Sequence, residues 1–487
     1  MLFKKKKPTI LLLIDQRTRD ANSILLVYYW LKHMGNKVLL ANKRNWKGKW
    51  RKFKPSVVAM SYSDGLQNVL EQVEKVSSIV VIPQEGAVPD KNFVVNERYT
   101  GKISGIGAYT KNLHKLFLWG TTTGNWLKEE EVFTDDQICI SGTPRLDPYI
   151  AIKPHENHLK RKQSIGFAMS HPRINTYNKF TLIDLVYESR SNQEEIYYGI
   201  GKNIEDFIWY DVSMLRAELD LLDLCANDPS IAVNLRPQIH ERPEGYQMVN
   251  RYFPSVKIGN DELLWEWLIK QTCIVTANST SGIEALMLGL PVISIMELIS
   301  KERRDEHMDV SIISNPEFLE YYWKPSNLEE AWKMIQLSLE GKLAPSPDPE
   351  GLAKYLHDYY DWPRQKSSSY EIAHEIHKIA IETKTRDKNG KLPVFGQLSE
   401  QQIGNEYFIA GIPTFLQKVY KKLGHLIPIW MIDFAYVFFD IKNRNFKNLQ
   451  RYHFYPWHRK DYRKAKYIWK ILCAKEASKN SSGTGNK

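Results

Sequence analysis

The sharpest chemical feature of this sequence is the stretch CIVTANSTSGIEALMLG, in which small polar residues stand between a strand-like and a helix-like segment. Small residues let a ligand approach the backbone, and the first turn of a helix presents N–H groups and a positive dipole end that suit phosphate. A carboxylate in that turn would lie within reach of a ribose hydroxyl pair. The residues predicted to bind a nucleotide in this way are Ser279, Thr280, Ser281, Gly282 and Glu284. The alternative is an ordinary helix N-terminus closed by a capping box.

A second group of polar residues follows the strand-like stretch IAVNLRP. Arginine offers a planar fork for phosphate or carboxylate, and histidine can relay a proton near neutral pH. The residues here that we predict to contact the nucleotide are Arg236, Gln238, His240 and Glu241. His171 follows the earlier strand-like stretch SIGFAMS, and we predict that it contacts the substrate. A structural role is the alternative for this whole group.

Acids, bases and glycines also follow strand-like stretches in the first half of the chain. Such residues at successive strand ends would line a polar cleft that suits sugar hydroxyls and a charged donor. The carboxylates that could act as base or nucleophile are, in order of preference, Asp15, Asp20 and Glu85. The residues predicted to bind substrate are Arg19, Gln84, Gly86, Trp119, Gly142, Arg145 and Asp147. Each signal is weak by itself, because an acid beside an arginine is more often a surface ion pair and Gly-Thr-Pro is usually a turn.

Two series of apolar runs, with helical stretches between them, must position these residues. Such alternation indicates parallel sheets covered by helices, and ligands bind outside the carboxyl ends of such strands. We expect one α/β domain at about residues 8–150 and a second at about 160–345, joined by one connector. After them we expect a helical closing segment at 346–385, an extension at 395–475 and a disordered tail at 478–487.

The composition is that of a globular protein and excludes several classes. Of the 487 residues, 43% are hydrophobic and 25% are charged, so the chain is not disordered throughout. Four cysteines lie far apart without a CxxC pair, which indicates neither a disulfide framework nor a zinc module. No apolar run reaches the roughly 20 residues that span a bilayer, and the one after the basic residues 4–7 is too short for a signal peptide. We therefore expect a cytoplasmic protein.

The excess of positive charge indicates a polyanionic partner. The net charge is +11, and much of the excess lies at residues 442–475, where Lys and Arg interleave with Trp and Tyr. This mixture fits a segment in the headgroup region of an anionic membrane, so we predict peripheral attachment to the inner face of the plasma membrane. The alternative is a helical subdomain with an aromatic core. A nucleic-acid surface is disfavoured, because no nucleic-acid-binding module accompanies the segment.

The run from Ser279 to Glu284 is similar to the donor-nucleotide motif of GT-B glycosyltransferases and of the non-hydrolysing UDP-GlcNAc 2-epimerases. In those families the small residues hold the phosphate or diphosphate and the acid holds the ribose, so the resemblance implies these roles here. The order of strand-end motifs over residues 8–300 resembles the bacterial family of surface carbohydrate biosynthesis proteins. That family looks related to the retaining β-Kdo transferases of capsule and lipopolysaccharide, which use CMP-Kdo. Their RPHP motif is incomplete here, because Gln238 and Ile239 stand where it has His-Pro.

The resemblance implies an α/β fold with two Rossmann-like domains in a GT-B arrangement, followed by the helical, basic-aromatic C-terminal extension. The activity it implies is transfer of a sugar from a nucleotide-sugar (CMP-Kdo-like or a UDP-sugar) to a glycan or lipid-linked acceptor, in assembly of capsule, O-antigen or lipopolysaccharide. Helix N-termini and arginine can stabilise a leaving phosphate, so we expect no metal and no cofactor. A UDP-GlcNAc 2-epimerase-like enzyme and a non-catalytic membrane-associated assembly factor are the alternatives.

Overall fold

The structure is a computed structural model, and it describes the greater part of the chain. The described residues are 7–14, 17–42, 46–60, 73, 77–82, 91, 113–131, 133–152, 163–171, 174–175, 204–238, 241–259, 261–299, 317–386 and 459–482. Five residues predicted for the site lie outside them: Asp15, Gln84, Glu85, Gly86 and His240. Most of the predicted extension lies outside them as well. Of Arg19, only the backbone is described.

The chain folds into two compact units. The first comprises Met1–Gly86, Val95–Ala151 and Arg364–Lys487, and the second comprises Ala87–Val94 and Ile152–Pro363. The chain therefore returns to its first unit after Pro363. The segment 346–385, predicted as one closing segment, is divided between the two units.

In the described part of the chain, each unit contains one parallel β-sheet. The strands are β1 (Thr9–Ile14), β2 (Lys37–Asn42), β3 (Val57–Met60), β4 (Ser78–Val81), β5 (Lys115–Leu118), β6 (Ile138–Ile140), β7 (Ser164–Ala168), β8 (Ala232–Arg236), β9 (Lys257–Ile258), β10 (Cys273–Thr276) and β11 (Val292–Ser294). The strand order is β2-β1-β3-β4-β5-β6 in the first sheet and β11-β10-β7-β8-β9 in the second.

Helices connect and cover these strands. They are α1 (Arg17–His33), α2 (Trp46–Phe53), α3 (Thr121–Glu129), α4 (Asp147–Ala151), α5 (Ile204–Ala226), α6 (Gln247–Tyr252), α7 (Leu264–Leu268), α8 (Ser281–Met287), α9 (Leu328–Leu339), α10 (Pro349–Tyr360), α11 (Ser368–Arg386) and α12 (Arg459–Ser482).

The apolar residues of each sheet are buried by the helices packed on it. Strand β1 reads TILLLI, and five of its six residues are buried, as expected for a parallel strand covered on both faces. Leu11 and Leu13 share a core with Trp46 and Trp50 of α2. In the second unit, a buried face of α5 shares a core with β7, β8, β10 and β11. These cores fix the strand ends on which the candidate site residues stand.

The two helices from the end of the chain pack against α1 in the first unit. The Tyr370 ring of α11 meets the Trp30 ring at a centroid distance of 4.9 Å. The Trp469 ring of α12 stacks on the Tyr29 ring at 5.6 Å and lies edge-on to the Trp30 ring at 5.9 Å. Residues from both ends of the chain thus build one core.

The two parallel sheets confirm the prediction of two α/β domains, and α12 confirms a helical segment in the C-terminal extension. Helix α12 runs to Ser482, into the segment predicted to be disordered. Among the helices in the described part of the chain, none is both long and apolar enough to cross a bilayer.

Candidate functional site

The order of strands in the second sheet reverses its direction of winding within the sheet. From β7 the chain moves to β8 and β9 on one side, then crosses to β10 and β11 on the other. Strand β7 pairs in parallel with both β8 and β10, so the direction of winding reverses between β7 and β10. Ligands of open α/β sheets bind at such a reversal, outside the carboxyl ends of the strands. The predicted nucleotide residues after β10, those after β8 that the structure describes, and the predicted substrate residue His171 after β7 all lie at this edge.

The hydroxyl-rich turn between β10 and α8 lies directly beside the reversal. The Thr276 hydroxyl ends β10 by donating to the Ala168 carbonyl of β7, at 2.9 Å. Ser279 Oγ lies 2.8 Å from Ser281 Oγ and accepts the Ser281 amide at 3.3 Å. Ser279, Thr280 and Ser281 are only half-buried, and Thr280 makes no capping hydrogen bond with its side chain. The turn therefore contains three hydroxyl groups in succession. The Thr280 hydroxyl does not cap the helix.

The backbone amides that open α8 are already used within the turn. The Gly282 amide donates to the Ser279 carbonyl at 3.0 Å, and the Ile283 amide donates to the Thr280 carbonyl at 3.2 Å. In this arrangement the hydroxyl groups, rather than these amides, are the donors available to an anion. The sequence pattern assigned phosphate binding to the amides of this turn, and that role stays a prediction.

Gly282 is explained by packing within the protein. A Cβ added there would lie 2.4 Å from the Tyr322 Oη, a distance that real Cβ atoms do not show. Tyr322 is buried, and its hydroxyl donates to the Ser279 carbonyl at 3.0 Å, which supports the turn from below. Glu284, in the first turn of α8, is 7% exposed. The glycine thus allows an aromatic side chain under the turn, and its predicted contact with a ligand stays a prediction.

The Arg236 side chain lies over an aromatic ring at the end of β8. Its guanidinium carbon lies 5.6 Å from the Trp267 ring centroid, and Nη2 donates to the Glu262 carbonyl at 2.9 Å. The nearby Gln238 amide donates to Glu241 Oε2 at 3.3 Å. The cation–π contact and the hydrogen bond hold the guanidinium over the Trp267 ring of α7.

A buried ionic cluster lies beneath the ends of β7 and β8. His171 Nε2 and Glu218 Oε2 are 2.6 Å apart, and both side chains are 1% exposed. Glu241, fully buried, accepts the His171 amide and, at 2.8 Å, the Tyr246 hydroxyl. Burial favours neutral imidazole, but the Glu218 carboxylate outweighs this and, with Glu241 and Asp211, raises the pKa of His171 to about 9. Burial raises the pKa of Glu241 to about 7, against the lowering influence of His171 and Tyr246.

This cluster joins the loops after the two strands. Asn175 and Arg242 are linked by two hydrogen bonds, Arg242 N to Asn175 O at 3.2 Å and Asn175 Nδ2 to Arg242 O at 2.9 Å. Glu241 and His171, predicted to contact nucleotide and substrate, occupy this buried linkage. Sequence reasoning missed their partner Glu218, whose signal was a carboxylate on the buried face of α5, three residues before Leu221. Among the described residues, no group of three or more His, Cys, Asp or Glu side chains could hold a metal ion.

In the first sheet the winding reverses between β1 and β3. The chain moves from β1 to β2 on one side, and then crosses to β3 and β4 on the other side. Asp15 follows Ile14, the last residue of β1, in the sequence. Asp20 is fully buried in α1, three residues before Ser23, whose hydroxyl donates to the Asp20 carbonyl at 2.9 Å. Trp119 is buried directly after β5. Asp20 and Trp119 are thus packed into the unit.

The Gly-x-Pro-Arg-x-Asp motif after β6 anchors α11. Asp147 is fully buried, and its two carboxylate oxygens accept the backbone amides of Ser368 and Ser369 at 2.8 and 2.9 Å. Burial raises the pKa of Asp147 to about 6, although these hydrogen bonds favour its charged form. Gly142 has a φ of +66°, and a Cβ there would lie 2.6 Å from Ser368 Oγ. Two residues of the motif therefore pack against the first turn of α11, while Arg145, half-buried, lies between them in sequence.

Comparison with known proteins gives no family for the chain. The sequence matches no protein-family model and no curated protein. Some solved structures are similar to the chain at low sequence identity. The wall teichoic acid polymerase TagF with CDPG is 12% identical, covers 77% of this chain and 89% of its own, and has a TM-score of 0.49. MnaA of S. aureus with UDP is 12% identical, covers 79% of this chain and 100% of its own, and has a TM-score of 0.43. The UDP-GlcNAc 2-epimerase of Methanocaldococcus jannaschii with UDP-GlcNAc and UDP is 13% identical, covers 77% of this chain and 100% of its own, and has a TM-score of 0.41.

Proposed function

We propose that this protein is a glycosyltransferase of surface polysaccharide assembly that binds a nucleotide-sugar at the carboxyl edge of the second sheet. The observation that supports this best is the position of the hydroxyl-rich turn Ser279–Ser281, beside the reversal between β7 and β10. The donor is a CMP-Kdo-like sugar or a UDP-sugar, and the acceptor is a glycan or lipid-linked glycan bound by the first unit.

In this proposal, the hydroxyl groups of the turn bind the phosphate oxygens of the donor. Hydroxyl groups rotate, so each can turn its hydrogen toward an incoming oxygen, whereas the amides of Ser281, Gly282 and Ile283 already have acceptors. Donors fixed before the reaction stabilise the charge that develops on the leaving phosphate. Tyr322 holds the Ser279 carbonyl from below and so keeps the turn in place.

For the chemical step, Asp15 stays our first candidate for base or nucleophile. It follows β1, next to which the winding of the first sheet reverses. Asp20, the second candidate, is fully buried in α1. Glu85 is the third. The stereochemical outcome follows from whether Asp15 activates the acceptor or attacks the sugar.

Nucleotide binding gives the first test, by calorimetric titration with CMP, CDP, UDP and GDP. Removing two hydroxyl groups with Ser279→Ala and Ser281→Ala should weaken the preferred nucleotide by roughly 100-fold or more, since a hydrogen bond to a charged group contributes about 1.5–3 kcal/mol. The control is the double change Ser213→Ala and Ser230→Ala, which removes two hydroxyl groups elsewhere in the same unit. If no nucleotide binds the wild-type protein, the proposal is wrong.

Dependence on an acceptor gives the second test and separates transfer from epimerisation. The protein is incubated with the nucleotide-sugar that binds, with and without lipid-linked glycan, and the sugar products are separated. A transferase moves the sugar only when acceptor is present, and Asp15→Asn should abolish that transfer. Conversion of UDP-GlcNAc to its epimer without any acceptor would instead establish the epimerase alternative.

A further inference from the structure

Helix α12 has two different faces. Its buried face, made by Ala465, Ile468 and Leu472, lies in the first unit, where the helix packs on α1. The opposite face carries exposed residues at the helical spacing i, i+3, i+4 and i+7, which places them in one line. We call these residues the basic stripe: Arg463, Lys466, Tyr467 and Lys470.

The basic stripe has one sign of charge and one exposed aromatic ring. Residues 462–475 contain no Asp or Glu, so no acid of α12 lies between these cations. Tyr467, between Lys466 and Lys470, is 61% exposed, although a tyrosine ring is a large, partly apolar surface. The exposed face of α11 differs, because it carries Lys378 and Glu382, of opposite sign.

Such a face is complementary to one kind of partner. Lys and Arg beside a membrane are attracted to its anionic headgroups, and tyrosine favours the interface because its ring is apolar and its hydroxyl polar. We propose that the basic stripe docks the protein on an anionic lipid surface, with the Tyr467 ring among the headgroups and Arg463, Lys466 and Lys470 at anionic phosphates. This goes beyond the proposed function, because it requires neither a nucleotide nor an acceptor.

The decisive variant is one that neutralises the stripe and leaves the buried face intact. Arg463→Gln, Lys466→Gln and Lys470→Gln together change only exposed side chains, so the helix keeps its packing on α1. The matched control removes three charges elsewhere, with Lys257→Gln, Lys354→Gln and Lys378→Gln, all of them exposed. Circular dichroism and the thermal midpoint establish that both variants fold.

Binding of the full chain is measured by co-sedimentation with vesicles of phosphatidylcholine that contain phosphatidylglycerol, and with vesicles of phosphatidylcholine alone. Each Lys or Arg near an anionic surface contributes about fivefold, so the stripe variant should bind anionic vesicles roughly 100-fold more weakly than the wild type. The control variant should stay within about threefold, and Tyr467→Ala should weaken binding severalfold. Nucleotide titration of the stripe variant should be unchanged.

Three outcomes overturn the proposal. In the first, the stripe and control variants bind anionic vesicles equally. In the second, the wild-type protein binds vesicles of phosphatidylcholine alone as tightly as anionic ones. In the third, the stripe variant loses binding to single-stranded RNA while its vesicle binding is unchanged, which would make the stripe a nucleic-acid surface.

Discussion

At the scale of single residues, the most unusual feature is the pairing of His171 with Glu218 inside the second unit. Burial alone would make histidine neutral, yet the 2.6 Å contact with a carboxylate keeps the proton on the imidazole. Removing one member of such a pair leaves an uncompensated buried charge, which typically costs about 3–5 kcal/mol. The pair is therefore best tested by removing both charges at once.

The stability of the second unit should depend on pH because of this cluster. The pKa of His171 is raised from 6.5 to about 9, so its contribution is complete below pH 6.5 and is lost as the pH rises through 9. The pKa of Glu241 is raised from 4.5 to about 7, so its contribution to stability is already lost as the pH rises from 4.5 through 7. Between pH 7.5 and about 8.5 the decline in the free energy of unfolding therefore belongs chiefly to His171, because the thiols of Cys225 and Cys273, whose pKa burial raises above the ordinary 9, add a decline of their own as the pH rises through 9. This decline should appear in urea unfolding that is monitored by the hydrogen exchange of the α5 amides.

The double variant His171→Gln and Glu218→Gln should remove most of the decline between pH 7.5 and about 8.5. His374→Gln changes an exposed histidine and should retain it. A double variant that keeps the full decline would mean that His171 is not the group that titrates.

The same residues mark how far sequence reasoning reaches at this scale. Asp147 and Glu241 were predicted at strand ends, and both lie a few residues after a strand, Asp147 after β6 and Glu241 after β8. Their partners were not predictable, because the amides that Asp147 accepts belong to Ser368 and Ser369, more than 200 positions later. A carboxylate at a strand end can bind a ligand or accept the amides at the start of a helix, and the local sequence does not distinguish these two roles.

At the scale of elements, the turn between β10 and α8 combines a predicted part with an unpredicted one. The pattern of a β-branched strand, small polar residues and a short helix predicted the element order around residues 273–287. The reason for Gly282 lies in Tyr322, which follows 40 residues later and fills the space beneath the turn. Packing from a distant segment decides the shape of the turn, so the geometry of its amides could not be read from its own residues.

Gly282→Ala should destabilise the second unit and displace the turn. The new Cβ would meet the Tyr322 Oη at 2.4 Å, and fitting an extra carbon into a packed interior typically costs about 1–3 kcal/mol. The loss is measured by urea unfolding, and nucleotide affinity should fall with it. Gly259→Ala is the matched control, because nothing lies within 4 Å of its added Cβ. Equal stabilities of the two variants would contradict the packing of Tyr322 beneath the turn.

At the scale of the whole molecule, the first unit is completed by residues from the end of the chain. The sequence predicted a helical C-terminal extension, but it did not identify the surface that covers the face made by Ala465, Ile468 and Leu472. The structure supplies it from α1, whose Tyr29 hydroxyl donates to the Tyr462 carbonyl at 3.1 Å, 433 positions away. Removal of everything after Pro393 would expose the aromatic face of α1. Truncation is therefore unsuitable as a test of membrane attachment.

Leu472→Ala should destabilise the first unit, even though the residue lies within 16 positions of the end of the chain. Leu472 is buried, and truncating a buried leucine costs about 2–5 kcal/mol through lost burial and the cavity that remains. Hydrogen exchange of the α1 amides should accelerate accordingly, while exchange in the second unit should be unchanged. Tyr467→Ala, on the exposed face of the same helix, should change the free energy of unfolding by no more than about 0.5 kcal/mol. If α1 exchanges at the wild-type rate in the Leu472 variant, α12 contributes nothing to that core. The basic stripe would then belong to a helix that α1 does not hold in place.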